Sequence, residues 1–138
     1  MGRAPHENPV RRNSRVGPLL LPAGGRPGEA PPWPLPGVQS RTETTAWKQL
    51  WASPQAVAWE NLGWTRTVAR YCRIMVAAEK PDATAAIMAQ ASSLEDRLGL
   101  TPRSMRLLLW KIAPDEVADK RDDKPASVRG RLRAVESA

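Results

Sequence analysis

The 138-residue chain has no phenylalanine, one tyrosine, one cysteine and one histidine. Each scarcity removes a kind of chemistry. Cys72 stands alone, so no intrachain disulfide is possible, which fits a reducing compartment. His6, beside Glu7, is the sole imidazole, and one His with one Cys cannot supply the four ligands of an ordinary zinc site. Gly24-Gly25-Arg26-Pro27-Gly28 is glycine-rich but lacks the Gly-Lys-Ser/Thr ending of a phosphate-cradling loop. Glu95 and Asp96 are neighbours in sequence, so on a helix they diverge and do not read as a general acid and base. No run approaches the roughly 20 apolar residues of a membrane span, and Leu19 to Leu21 is too short for the apolar core of a signal peptide. The expectation is a soluble intracellular protein that is not an enzyme, takes no cofactor or metal, touches no membrane, and works by binding and assembly.

Proline, glycine, tryptophan and arginine are what the chain has instead. Nine of its fourteen prolines and six of its nine glycines precede Thr42. Proline removes backbone donors and glycine adds chain entropy, so residues 1–41 read as an extended or disordered basic arm. Within it, Pro31-Pro32-Trp33-Pro34-Leu35-Pro36 favours polyproline II, with Trp33 and Leu35 as anchors for docking a partner. Residues 42–113 read as a helical oligomerisation and DNA-binding core, and 114–138 as a charged flexible tail. The formal net charge is +7. The excess sits in the arm and the core, because the tail holds as many acids as bases. Such a balance favours a polyanionic partner.

Hydrophobic periodicity predicts an all-α fold. A first helix spans Thr42–Ala52, capped by Thr42 or Thr44, with Trp47, Leu50 and Trp51 inward. Ser53-Pro54 breaks and restarts the chain. A long second helix then runs from Pro54 to about Glu79 on a stripe of Val57, Asn61, Trp64, Val68, Tyr71, Met75 and Ala78. Gly63 falls inside it at a cost of about 1 kcal/mol relative to alanine. Lys80-Pro81-Asp82 turns the chain, Asp82 caps a third helix, and Ile87, Ala91, Leu94 and Leu98 form its inward stripe. Leu98-Gly99-Leu100 reads as a left-handed helix stop, with Thr101 and Pro102 as cap and first residue of a fourth helix reaching Ala113. No stretch alternates with period two for long enough to make a sheet. The predicted architecture is a four-helix unit with a long central helical hairpin, an extended Pro/Gly-rich N-terminal arm and a flexible C-terminal tail.

Two residue types carry the functional candidates. Trp47, Trp51, Trp59, Trp64 and Trp110 all fall in predicted helices, and Trp59 lies off the main stripe. A core this small leaves room for at least one of them at a subunit contact. Three basic groups are candidates for DNA. Arg11, Arg12 and Arg15 form a flexible arm suited to phosphates. Arg66, Arg70 and Arg73 recur on one face of the second helix. Arg103 and Arg106, with Lys111 beyond, stand where a recognition helix meets a major groove, although Leu107-Leu108-Leu109-Trp110 is very apolar for a helix lying in DNA.

The order of these signals resembles the small terminase subunits of tailed bacteriophages, in particular the actinobacterial phage and prophage type. The likeness runs through Asn8-Pro9-Val10-Arg11-Arg12-Asn13, Gly25-Arg26-Pro27-Gly28, Pro32-Trp33-Pro34-Leu35, Trp47-Lys48-Gln49-Leu50-Trp51 and Pro54-Gln55-Ala56. It continues in Val68-Ala69-Arg70-Tyr71 and Leu94-Glu95-Asp96-Arg97-Leu98-Gly99-Leu100-Thr101-Pro102, so it covers the chain to about Ile112. The resemblance implies a non-catalytic protomer in a ring-shaped homo-oligomer, located in the host cell cytoplasm. It implies binding of double-stranded viral DNA at the packaging start, and delivery to the large terminase subunit, whose ATPase and nuclease it regulates, with an HNH-type nuclease as a further partner. Two other readings of the residues stay open: a helix-turn-helix transcriptional regulator built on the Gly99 corner, and a protein-only adaptor using the Pro/Trp arm.

Overall fold

A computed structural model describes residues 17–115. In chain order the elements are β1 (Leu19–Leu21), α1 (Arg41–Trp51), α2 (Gln55–Leu62), α3 (Thr65–Ala78), α4 (Ala85–Arg97), α5 (Pro102–Leu107) and β2 (Trp110–Ile112). The fold is mainly helical, but the strands depart from an all-α expectation. β1 and β2 pair in parallel, Leu19 with Trp110 and Leu21 with Ile112. A three-residue strand is too short to show as alternation, and its partner comes from the other end of the domain.

α1 starts at Ser40 rather than at a threonine. The Ser40 hydroxyl accepts from Glu43 N at 3.1 Å, and Glu43 Oε2 accepts from Ser40 N at 2.9 Å. This reciprocal capping box satisfies two backbone donors that the first turn leaves without partners. Trp47 and Trp51, one turn apart, then face inward.

The single long second helix is two helices. Gly63 ends α2 in the left-handed conformation (φ 70°, ψ 31°), and Trp64 N donates to Trp59 O at 2.9 Å. Glycine accepts a positive φ without the Cβ clash that other residues suffer. No neighbouring atom crowds Gly63, so backbone conformation alone accounts for glycine there. α3 packs against both α1 and α4, and is thus the central helix. The cap of α4 is Thr84, whose hydroxyl accepts from Ile87 N at 3.3 Å, and not Asp82.

The corner at Gly99 matches its sequence signature. Leu100 N reaches back to Glu95 O at 3.0 Å across a left-handed Gly99 (φ 74°). Thr101 caps α5 and its hydroxyl accepts from Ser104 N at 3.1 Å. The fourth helix is far shorter than Thr101–Ala113, because α5 ends at Leu107 and the chain passes into β2. Leu109 turns it there, with a φ of 58° that costs a non-glycine residue about 1–2 kcal/mol. Burial of Trp110 opposes that cost. Its ring lies where a Cβ on Gly99 would have to sit, and it stacks at 6.1 Å on Trp64.

The core is a file of indoles. Trp33, Trp47, Trp51 and Trp59 meet edge to face, with successive centroids 5.0, 5.5 and 5.9 Å apart. Edge-to-face pairs of this kind add about 0.5–1.5 kcal/mol beyond the area they bury. Val68, Ala69, Cys72, Leu98 and Leu21 are among the other residues buried with them.

Candidate nucleic-acid interface

The described part of the arm is built into the core. Leu21 is fully buried. Trp33 and Leu35, candidates for docking a partner, instead pack on the chain's own core, and Pro31 O accepts from Trp47 Nε1 at 2.8 Å. Arg26 lies over the Trp51 ring at 5.5 Å and binds Glu60 with both Nε (3.0 Å) and Nη2 (2.8 Å). That hydrogen-bonded pair raises the guanidinium pKa and lowers that of the carboxyl. Of the expected extended or disordered arm, residues 17–40 are thus packed against the core. Arg11, Arg12 and Arg15 lie outside the described residues, as do residues 116–138 of the tail.

The tryptophan candidates for subunit contact are mostly interior. Trp47, Trp51, Trp59 and Trp110 are buried within the chain itself, and Trp64 is half-buried. Trp59, expected off the main face, is fully enclosed, and its N–H donates to Leu98 O at 2.8 Å. The break at Gly63 explains this, because a stripe laid along one continuous helix misassigns the face that α2 turns inward. What does reach the surface is aliphatic. Leu19, Leu20 and Ile112 on the paired strands, with Leu107 and Leu109 beside them, are all substantially exposed.

Arg66, Arg70 and Arg73 share one side of α3, but the side chains of Arg70 and Arg73 part. At about 100° per residue, Arg70 and Arg73 point some 60° apart around α3, enough for long side chains to reach different neighbours. Arg73 turns towards α1, where Nε meets Glu43 Oε1 at 3.3 Å and the guanidinium lies 5.3 Å over Trp33. Glu43 thus serves as cap partner and counter-ion together. Arg70 turns towards α4 and lines a hollow of about 330 Å³ with Ile74, Gln90, Ser93, Leu94 and Arg97. A second hollow, of about 280 Å³, is lined by Asp96, Arg97, Arg103, Ser104, Leu107 and Leu108. Arg97 is common to both. Reading the sequence singled out Arg70 and Arg103 but missed Arg97, Gln90 and Ser93, because their convergence depends on how α3 meets α4.

Ion pairing sets these arginines apart. Among the described residues the ion pairs are Arg26–Glu60 and Arg73–Glu43, and none reaches Arg66, Arg70, Arg97, Arg103 or Arg106. The nearby acids are engaged elsewhere. Glu95 accepts from the Tyr71 hydroxyl at 3.0 Å and Asp96 from the Thr101 hydroxyl at 2.7 Å. Burial, and then the Glu95 hydrogen bond, raises the Tyr71 pKa, while burial pushes the Cys72 thiol up to about 11. Neither group is poised to react near neutral pH. Lys111 is exposed on β2 and Arg106 on α5, and neither lines either hollow.

Among the described residues no cluster of three or more His, Cys, Asp or Glu could hold a metal, and no helix is long and apolar enough to cross a membrane. Among the described residues, the arrangement offers arginines without ion-pair partners over α3, α4 and α5, with exposed aliphatic residues on the strand pair. Comparison with protein-family models, with curated proteins and with solved structures finds no match for this chain.

Proposed function

We propose that the chain is a small terminase subunit: a non-catalytic protomer that assembles into a ring in the host cell cytoplasm, binds double-stranded viral DNA at the packaging start, and hands it to the large terminase ATPase and nuclease. The observation that carries this reading is the group of arginines on α3, α4 and α5 that form no ion pair among the described residues. Unneutralised cations on rigid helices attract a polyanion and release its counterions on contact. The exposed Leu19, Leu20, Leu107, Leu109 and Ile112 support self-association, since large apolar side chains left at the surface of a small domain can be covered by a second copy. The resemblance of the ordered motifs to those of phage small terminases gives the reading its biological setting.

The rival readings fit less well. A recognition helix has to lie along a major groove, and α5, at six residues, is less than two turns long. A protein-only adaptor needs Trp33 and Leu35 free, yet both are used internally. Native mass measurement with a salt-dependent DNA titration tests the proposal. The expected result is a closed oligomer above dimer whose duplex affinity falls steeply with salt. A dimer selective for a palindrome would favour the regulator, and a monomer that ignores duplex DNA in near-salt-free buffer would overturn the proposal.

A further inference from the structure

Four hydrogen-bond-donating side chains converge where α3 crosses α4: Arg70 from α3, and Gln90, Ser93 and Arg97 from α4. None of the four makes a hydrogen bond or ion pair with another side chain of the described residues. Two guanidinium groups bordering one hollow repel each other, and no carboxylate lines that hollow to offset them. Arg97 sits in the last turn of α4, where the negative end of the helix dipole favours a cation. The corner that follows is rigid, fixed by the Leu100–Glu95 backbone bond, the Thr101–Asp96 bond and the Thr101–Ser104 capping box. Arg103, one residue into α5, is thereby held across from Arg97 in the adjoining hollow, which Asp96 also lines while accepting from the Thr101 hydroxyl.

Such a site suits a tetrahedral oxyanion. Guanidinium groups bind phosphate oxygens through paired N–H donors, and the neutral amide and hydroxyl complete the shell without adding charge. Two hollows sharing one arginine suit a ligand that repeats its anion, which a nucleic-acid strand does and a free phosphate does not. We infer that the Arg70–Arg97 hollow seats one backbone phosphate of a nucleic-acid strand, and that Arg97 with Arg103 seats a neighbouring phosphate of the same strand. The inference rests on the DNA-binding reading above and names the surface that carries it. It calls for no base reading, because phosphate contacts set register rather than sequence.

The test uses the full chain, a labelled duplex of roughly 30 base pairs, and fluorescence anisotropy from about 50 to 200 mM NaCl. Arg70→Gln with Arg97→Gln is compared with Arg41→Gln, an exposed arginine at the start of α1 that lines neither hollow. The double variant should weaken binding at least tenfold and flatten the plot of log affinity against log salt by about 0.9 for each phosphate it no longer neutralises. It should do so equally for unrelated sequences, while Arg41→Gln keeps the parent slope. Arg70→Lys with Arg97→Lys, which retains charge, should recover most of the slope, and thermal melts should show all variants folded. If the parent binds DNA and the double Gln variant matches it in slope and affinity, the inference is wrong while the DNA-binding reading stands. If the parent binds no duplex, both fall. Should the double variant instead lose affinity for a glutamate-rich peptide with DNA binding intact, the hollows belong to an acidic protein segment and the inference is overturned.

Discussion

Four of the six indoles gather where residues 30–35 cross α1 and α2, whereas α4 contributes only Ala91 to the buried set from within its own length. The two regions are held by different means. Around α1 and α2, large rings exclude water from one another, and two of their N–H groups, on Trp47 and Trp59, reach backbone carbonyls. α4 packs along α3 with Ala91 as its one buried residue, and is further held by the Gly99 corner and by Tyr71 bonding to Glu95. Met88, in the first turn of α4, is half exposed (49%). Along that crossing, Gln90, Ser93 and Arg97 of α4 line the first hollow with Arg70 of α3.

The sharpest way to break this contrast is Trp59→Ala. It removes a fully buried indole and leaves Leu98 O without its donor, so a loss of about 3–5 kcal/mol in urea unfolding is expected. A loss under about 1 kcal/mol would mean that the indole file does not hold the domain together. Next come the two left-handed glycines. Gly99→Ala adds a Cβ that collides with the Trp110 ring as well as straining φ, so it should cost about 2 kcal/mol or more. Gly63→Ala strains φ alone and should cost about 1 kcal/mol. Equal effects would show that the seat of Trp110 against Gly99 contributes nothing.

An alkaline titration sharpens the comparison on the α3 side. Burial lifts the Cys72 thiol from its ordinary 9.0 to about 11, so above pH 9 the unfolded chain binds fewer protons than the folded one. The stability that this difference supplies is complete below pH 9 and is lost between pH 9 and 11. Unfolding midpoints measured across that range should fall less for Cys72→Ala than for the parent. Parallel curves would mean that the thiol is not shielded in the folded state. The smallest effect belongs to Met88→Ala, expected within about 0.5 kcal/mol of the parent by thermal melt. A large loss would show that this half-exposed side chain is covered in solution.

Local signals were legible where one residue decides the backbone. The Gly99 corner, with its Thr101 cap and Pro102, is present as its residues announce. Leu62-Gly63-Trp64 carries the same pattern of apolar residue, glycine, apolar residue, yet the heptad-like spacing of Asn61, Trp64 and Val68 continues through it and disguises the break. Leu107 to Trp110 continues a helical pattern to the eye. What stops the helix is distant, since Trp110 fits against Gly99 and Trp64 and its strand pairs with Leu19–Leu21. For the candidate site, charge and spacing pointed to Arg70 and Arg103. Spacing could not show that Arg73 is taken up by Glu43 and Trp33, nor that Arg97 stands between the two hollows. Both facts depend on which helix each side of α3 meets.

The strand pair joins residues separated by roughly 90 positions of intervening chain, from Leu19 to Trp110. During synthesis this clasp cannot shut until nearly the whole domain has left the ribosome, so the helices must hold their arrangement while both ends are still open. Trimming residues 1–41 to probe nucleic-acid binding would also unfasten β2 and uncover Trp110, and any drop in affinity would then confuse an absent phosphate grip with a loosened fold. Point substitutions at arginines that leave the clasp shut are the cleaner instrument.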